Sequence, residues 1–329
     1  MKRLLLIRVD KIGDLICTLP VDQHPDLSEW TVDWWIPKGL APLVARAEPA
    51  RKTRELSRRW SGSQFWQLYR ELRRLRPEAA VVFQGPWWIG LLLVLAGVPV
   101  RAGVLSQWHS FLFFNRGLRQ KRSLAEKHEF EYGRELLESA LGLAPLRNQP
   151  TLKLRSLGTA GNYLVLHPGM AGSARNWPGE SYLALMERLL AKGWKVVVTG
   201  GPSDAPFVDP LRAKFGASVQ VEFRTNLSFQ DWIDVLGSAR AVVAPSTGAV
   251  HVAASLGIPT LGLYSPVRVQ RALRWGPRGP RVRVLTPQVD CPGTLSCWGP
   301  RCSIFDCMKQ IEPEKVESAL NELIGDSTK

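Results

Sequence analysis

Cysteine is scarce in this chain until its end. Cys17 is the only one in the first 290 of 329 residues, and the other four, Cys291, Cys297, Cys302 and Cys307, follow with the spacing C-x5-C-x4-C-x4-C. So lopsided a usage excludes a small disulfide-stapled scaffold. The spacing lacks the tight C-x2-C pair of a typical zinc site, so reduced thiols or a local disulfide are the better reading and a bound metal the weaker one. Long apolar runs are missing too. The longest, Trp87 to Val100, spans 14 residues, short of the roughly 20 a spanning helix needs. No secretory leader is visible: Leu4 to Val9 is interrupted by Arg8 and runs into Asp10 and Lys11, which reads as a first β-strand. There is no G-x-x-x-x-G-K-[ST], and no G-x-G-x-x-G after the first strand, which sets aside a P-loop NTPase and the usual dinucleotide fold. No short-period repeat suggests a solenoid. A cytoplasmic location is expected, with peripheral attachment to a membrane left open.

Acidic residues are outnumbered, with 29 Asp and Glu against 43 Lys and Arg, for a net charge of +14. The excess is uneven, at +10 over residues 1–158 and +4 over 159–329. The first half is therefore expected to meet something anionic: nucleic acid, an acidic membrane surface or a phosphorylated glycolipid. No nucleic-acid motif is present, and arginine together with tryptophan favours the surface or glycolipid partner. At 45% hydrophobic and 22% charged the chain is globular, and it is long enough for two domains with proper cores.

What is abundant is alternation. Residues 240–266 read as a strand over Ala241 to Ala244, a turn Pro245-Ser246-Thr247-Gly248, a helix over Ala249 to Leu256 ended by Gly257, and a strand over Ile258 to Tyr264. This βαβ unit is the building block of a parallel sheet. Strands are likewise expected at Leu4 to Val9, Thr31 to Ile36, Ala79 to Phe83, Val98 to Val104, Tyr163 to Leu166, Lys195 to Thr199 and near Val219 to Phe223. Glu55 to Arg76 has helical amphipathicity, Leu105 to Lys127 reads as a basic, aromatic loop region, and residues 267–308 as loops. The expected fold is α/β: two doubly wound, Rossmann-like domains facing a cleft, over 1–158 and 159–310, with a last helix over 311–329.

Ligands of open α/β sheets bind beyond the carboxyl ends of the strands. Three loops of the second half end there, so Ser173, Arg175, Thr247 and Gly248 are expected to converge on a diphosphate, with Ser246 and His251 beside it. Gly200 and Gly201 would let a base or ribose lie against the backbone. An ordinary capped helix explains the Ser246 to His251 turn equally well. In the first half, Asp14 follows Gly13 after the first strand. It could accept a proton from a hydroxyl nucleophile, although position alone favours a first-turn carboxylate that stabilises the helix dipole.

Several motifs tip these balances. Arg8-Val9-Asp10-Lys11-Ile12-Gly13-Asp14-Leu15 with Thr18-Leu19-Pro20, His167-Pro168-Gly169 with Arg175-Asn176-Trp177-Pro178, Val198-Thr199-Gly200-Gly201, and Ser246-Thr247-Gly248 with His251 and Ala253-Ala254 occur in order across nearly the whole chain. In this the chain resembles glycosyltransferase family 9, which contains the ADP-heptose:lipopolysaccharide heptosyltransferases. The resemblance implies a GT-B fold, with an acceptor domain first, a sugar-nucleotide domain second, and a last helix returning to the first domain. It implies inverting, metal-independent transfer from a nucleotide sugar, typically ADP-heptose, to a lipopolysaccharide core or related surface glycan, with no cofactor and no nucleic-acid partner. An inner-membrane surface would carry the anionic glycolipid acceptor. By resemblance Asp14 is the general base, Lys11 and Gly13 lie on the acceptor side, and Ser173, Arg175, Gly200, Gly201, Ser246, Thr247, Gly248 and His251 bind the donor. Two positions depart from the family's habit: Arg175 stands where Lys is frequent, and Ser246 where Asp is common before Thr-Gly. A nucleotide-sugar epimerase, or a transferase using another nucleotide sugar, is the alternative.

Overall fold

The structure is a computed structural model that describes residues 2–159, 161–170, 172 and 174–325. Two compact units divide it. The first runs through Arg122 and resumes over Lys127–Leu152, and the second takes Ser123–Glu126 and the chain from Lys153. The division at 152/153 falls slightly ahead of the expected 158/159.

The first unit is built on β1 (Lys2–Arg8), β2 (Trp30–Pro37), β3 (Lys52–Leu56), β4 (Ala79–Gln84), β5 (Val100–Val104) and β6 (Arg116–Leu118). They form one parallel sheet in the order β3-β2-β1-β4-β5-β6. Its helices are α1 (Ile12–Thr18), α2 (Gly62–Leu75), α3 (Trp87–Leu95), α4 (Trp108–Phe113) and α5 (Glu129–Leu141). Leu5, Ile7 and Val9 alternate onto one face, where Phe65, Leu68 and Leu72 of α2 and Trp88, Ile89 and Leu92 of α3 cover them. Leu4 and Leu6, equally buried, alternate to the opposite face. Both faces of β1 are covered, which is why its middle, Leu4 to Ile7, reads as an unbroken apolar run.

The second unit repeats the plan. Its strands are β7 (Leu164–Leu166), β8 (Val196–Gly200), β9 (Val221–Thr225), β10 (Ala241–Pro245), β11 (Thr260–Leu263) and β12 (Val282–Leu285), all parallel in the order β9-β8-β7-β10-β11-β12. Helices α6 (Gly179–Ala191), α7 (Ala205–Phe215), α8 (Phe229–Gly237) and α9 (Gly248–Ser255) follow successive strands, and α10 (Pro313–Gly325) ends the described chain. Counted within each unit, both strand orders are 3-2-1-4-5-6, the order of the Rossmann sheet. This is the pair of Rossmann-like domains of the GT-B class.

In the two six-stranded sheets, three strands depart from the sequence reading. Lys52–Leu56, whose last two residues fall in the stretch read as helical, is an edge strand paired with β2, and Arg116–Leu118 and Val282–Leu285 lie in regions read as loops. Helix α4 was likewise hidden in the supposed loop 105–127. The missed strands are short, charged and at the sheet edges, where charge on the exposed side discourages pairing with another chain. They therefore lack the apolar run that marks a central strand. Helix α10 buries Val316, Ala319 and Leu320 in the core of the second unit. Arg188 on α6 bonds Glu317 at 2.6 Å, and Trp177 Nε1 donates to the Ile311 carbonyl at 2.8 Å.

Candidate active site

In each unit the strand order reverses beside the first strand, between β1 and β4 and between β7 and β10. Loops at the carboxyl ends of such strands splay apart and leave a crevice there. Those of the expected site residues that the structure describes lie on these loops or in the first turns of the helices that follow them.

In the first unit the centre is a buried ion cluster. Arg8 ends β1 and is only 2% exposed. Its guanidinium bonds Asp10 Oδ1 at 2.8 Å, Asp14 Oδ1 at 2.7 Å and Glu129 Oε1 at 2.9 Å. Glu129 opens α5, is fully buried, and also takes a bond from Arg122 at 2.9 Å. Packing of α1 against α5 brings these distant residues together. Two cations thus face three carboxylates, a local excess of one negative charge when all are ionised. The consequence falls on Asp14, in the first turn of α1. Burial pushes its carboxyl up from the usual range, Arg8 opposes that, Asp10 and Glu129 add to it, and the pKa settles at about 7. Asp14 keeps a side-chain exposure of 18%, so one edge remains open to a substrate hydroxyl. Lys11 is the exposed N-cap residue of α1, and Gly13 lies half-buried within the helix.

In the second unit three loops meet at the switch point. His167 follows β7 and shares a 2.9 Å hydrogen bond between Nδ1 and Thr199 Oγ1 on β8. Burial pushes its pKa down to about 4, against the pull of Asp204, so it is neutral near pH 7. Asp204 Oδ2 accepts from the Gly201 N–H at 2.9 Å. The same carboxylate fills the space beside Gly169, where a Cβ would stand 1.9 Å from Asp204 Cγ. Gly200 is needed for packing, since its Cβ would be 2.9 Å from Val208, whereas beside Gly201 only Asp204 Oδ2 comes within 4 Å, at 3.8 Å. Thr247 is the N-cap of α9, and its hydroxyl makes no cap bond to the helix. Gly248 opens the helix, so the first N–H groups of α9 have no partner within it. That end, with the helix dipole behind it, suits an anion. Ser246 is half-buried and its N–H donates to the Leu263 carbonyl at 3.1 Å. His251 is buried at 5% exposure on α9.

Arg175 is anchored by residues far along the chain. Its guanidinium lies 3.8 Å over the Phe305 ring and bonds the Phe305 carbonyl at 3.3 Å, while its N–H donates to Gln270 Oε1 at 3.1 Å. The cysteine-rich segment thus holds this cation in place. Ser173 lies outside the described residues. All five cysteines are free thiols, and among the described residues no group of three or more His, Cys, Asp or Glu is arranged to hold a metal.

Sequence reasoning singled out Asp14 but not its setting. An arginine closing an apolar strand was the available signal for Arg8. Nothing marked Glu129, which is far away in sequence, or Asp204, whose role depends on the shape of the loop after β8.

A sequence profile of Glycosyltransferase family 9 (heptosyltransferase) matches residues 65–295. A putative glycosyltransferase of Haemophilus influenzae is 26% identical over 302 residues, covering 84% of this chain and 86% of that protein. Lipopolysaccharide heptosyltransferase 1 of Pseudomonas aeruginosa is 28% identical over 290 residues, covering 80% and 79%. Among solved structures, the ADP-heptose lipopolysaccharide heptosyltransferase II of E. coli superposes with a TM-score of 0.79 at 20% identity over 100% of both chains.

Proposed function

The chain belongs to glycosyltransferase family 9, and from that premise we propose that it moves heptose from ADP-heptose to a hydroxyl of an anionic lipopolysaccharide-core or related glycolipid acceptor at a membrane surface. The names of its relatives support the donor and acceptor, and the observation that carries the mechanism is Asp14. A base poised near neutrality takes a proton most effectively at working pH, and Asp14 is held there by burial and by Arg8, Asp10 and Glu129.

In the proposed reaction the acceptor oxygen forms a bond to the anomeric carbon as the bond from that carbon to the diphosphate oxygen breaks. The proton of the acceptor hydroxyl passes to Asp14, and the bonding electrons leave with ADP. A single displacement of this kind inverts the anomeric centre. Charge building on the leaving diphosphate is met by the N–H groups and hydroxyl at Thr247-Gly248, with Arg175 and Ser173 as further donors. This assigns to fixed dipoles and a cation the role a metal plays elsewhere. Gly201 gives the nucleotide an unobstructed stretch of backbone. Lys11 and Gly13 lie on the acceptor side, and Ser246 and His251 support the donor loop.

The test is transfer from ADP-heptose to a purified core glycolipid, with ADP release and the new linkage both measured. Asp14→Asn should lower kcat by about 10²–10⁴-fold and leave ADP-dependent thermal stabilisation intact. Turnover near wild type in that variant removes Asp14 as the base. Stabilisation by UDP or GDP but not ADP replaces the donor.

A further inference from the structure

The large apolar side chains that the first unit leaves exposed all fall between residues 60 and 112. They sit on or beside three helices, α2, α3 and α4, that lie side by side. Gly90 of α3 abuts the Phe113 ring of α4, where a Cβ would come within 2.8 Å. At the other side, Trp60 before α2 stacks on Trp87 of α3 at 6.2 Å and 9°. Helix α3 has no charged residue from Trp87 to Leu95. A helix apolar all round belongs in a core or in lipid, yet Trp87 and Leu95 are about half exposed, at 52% and 51%. Next to it α4 exposes Trp108 at 76% and Leu112 at 67%.

Charge identifies what this face meets. Residues 56–125 hold eleven Lys and Arg against two Asp and Glu, which is +9 of the chain's +14. No acidic residue occurs between 79 and 125. Arg70, Arg73 and Arg74 on α2 and Arg116 beyond α4 are all exposed. Pairing this face with a second copy about a two-fold axis would oppose two surfaces of like charge. Nucleic acid matches the charge but gains little from Leu95 and Leu112. Tryptophan with flanking arginine around an aliphatic centre matches the boundary between lipid headgroups and acyl chains.

We propose that α2, α3 and α4 form a docking face that seats the first unit on an anionic lipid bilayer. Trp87, Leu95, Trp108 and Leu112 enter the headgroup boundary, and the arginines contact lipid phosphates. Among the described residues no helix is long and apolar enough to cross a membrane, so this face provides attachment from one side. It begins at the strand edge that carries Asp14: the Val9 N–H donates to the Gln84 carbonyl at 3.1 Å, and α3 starts just after. A lipid-linked acceptor held there would be presented near that edge, and to that extent the purpose of the face rests on the acceptor proposed above.

Flotation of the full chain with vesicles tests it. Wild type should float with phosphatidylglycerol-containing vesicles, bind pure phosphatidylcholine poorly, and be released between about 0.1 M and about 1 M salt. Leu95→Glu with Leu112→Glu should cut the partition coefficient about tenfold or more, and so should Arg70→Glu with Arg74→Glu. Both pairs should keep the wild-type melting temperature and ADP-dependent stabilisation. Equal flotation of variants and wild type, or equal binding to neutral vesicles, overturns the proposal. So does a wild-type dimer that Leu95→Glu with Leu112→Glu converts to monomer, since a second copy would then cover the face. Loss of ADP stabilisation with vesicle binding retained overturns the donor reading and leaves the face standing.

Discussion

At the scale of single residues, the proposed chemistry turns on a carboxylate kept from ionising at its usual pH. Asp14 must be deprotonated to act as a base, so kcat/KM should rise with pH through about 7 and flatten above it. Arg8 is the one neighbour that holds this pKa down. Arg8→Met should therefore move the acidic limb to higher pH, and it should cost about 3–5 kcal/mol of stability by leaving buried carboxylates unpaired. A limb that stays near 7 in that variant would show that Arg8 only supports the fold. Glu129 works in the opposite direction, since its charge raises Asp14, and Glu129→Gln should shift the limb downward. A pH–rate profile of the two variants, normalised to folded protein, separates these effects.

Among the elements, the legible ones are those buried on both faces. Leu4 to Ile7, Ala79 to Phe83 and Ala241 to Ala244 announce central strands because they are apolar on both faces. The edge strands over Lys52–Leu56, Arg116–Leu118 and Val282–Leu285 needed tertiary context to be seen, because their exposed sides are charged like a loop. The site divides in the same way. Asp14, Thr247 and Gly248 lie at helix starts whose place is fixed by the strand before them, so the sequence locates them. Arg8 with Glu129 and Gly169 with Asp204 are partnerships made by packing, which no local pattern contains. The second pair makes a prediction about an element. Gly169→Ala drives a methyl group into the Asp204 carboxylate, which must then leave the Gly201 N–H. Overpacking of this kind costs about 1–3 kcal/mol, and the loop after β8 should lose its shape. Titration calorimetry should show weaker ADP binding while the acidic limb of Asp14 stays in place. Unchanged ADP affinity would place that loop outside the donor site.

In the whole molecule, one topology is used twice with opposite electrostatics. The first unit gathers carboxylates at its switch point, and the second presents a helix terminus and a neutral histidine at its own. Buried titratable groups make that contrast measurable as stability. Between pH 3.8 and about 7 the unfolded Asp14 carboxyl is ionised while the folded one keeps its proton. The folded state binds more protons there, so this contribution to stability falls as pH rises. Between about 4 and 6.5 the unfolded His167 is protonated while the folded one is not, so its contribution falls as pH drops. Each is worth on the order of a few kcal/mol. Urea unfolding of wild type, Asp14→Asn and His167→Gln near pH 5 and pH 7 would resolve them. Relative to wild type, Asp14→Asn should gain stability as pH rises and His167→Gln as pH falls. Opposite slopes would locate a proton acceptor in one unit and, in the other, an imidazole that stays neutral down to about pH 4. Slopes of the same sign would mean that the two switch points do not differ in this way, and the division into a base-bearing unit and an anion-binding unit would fail.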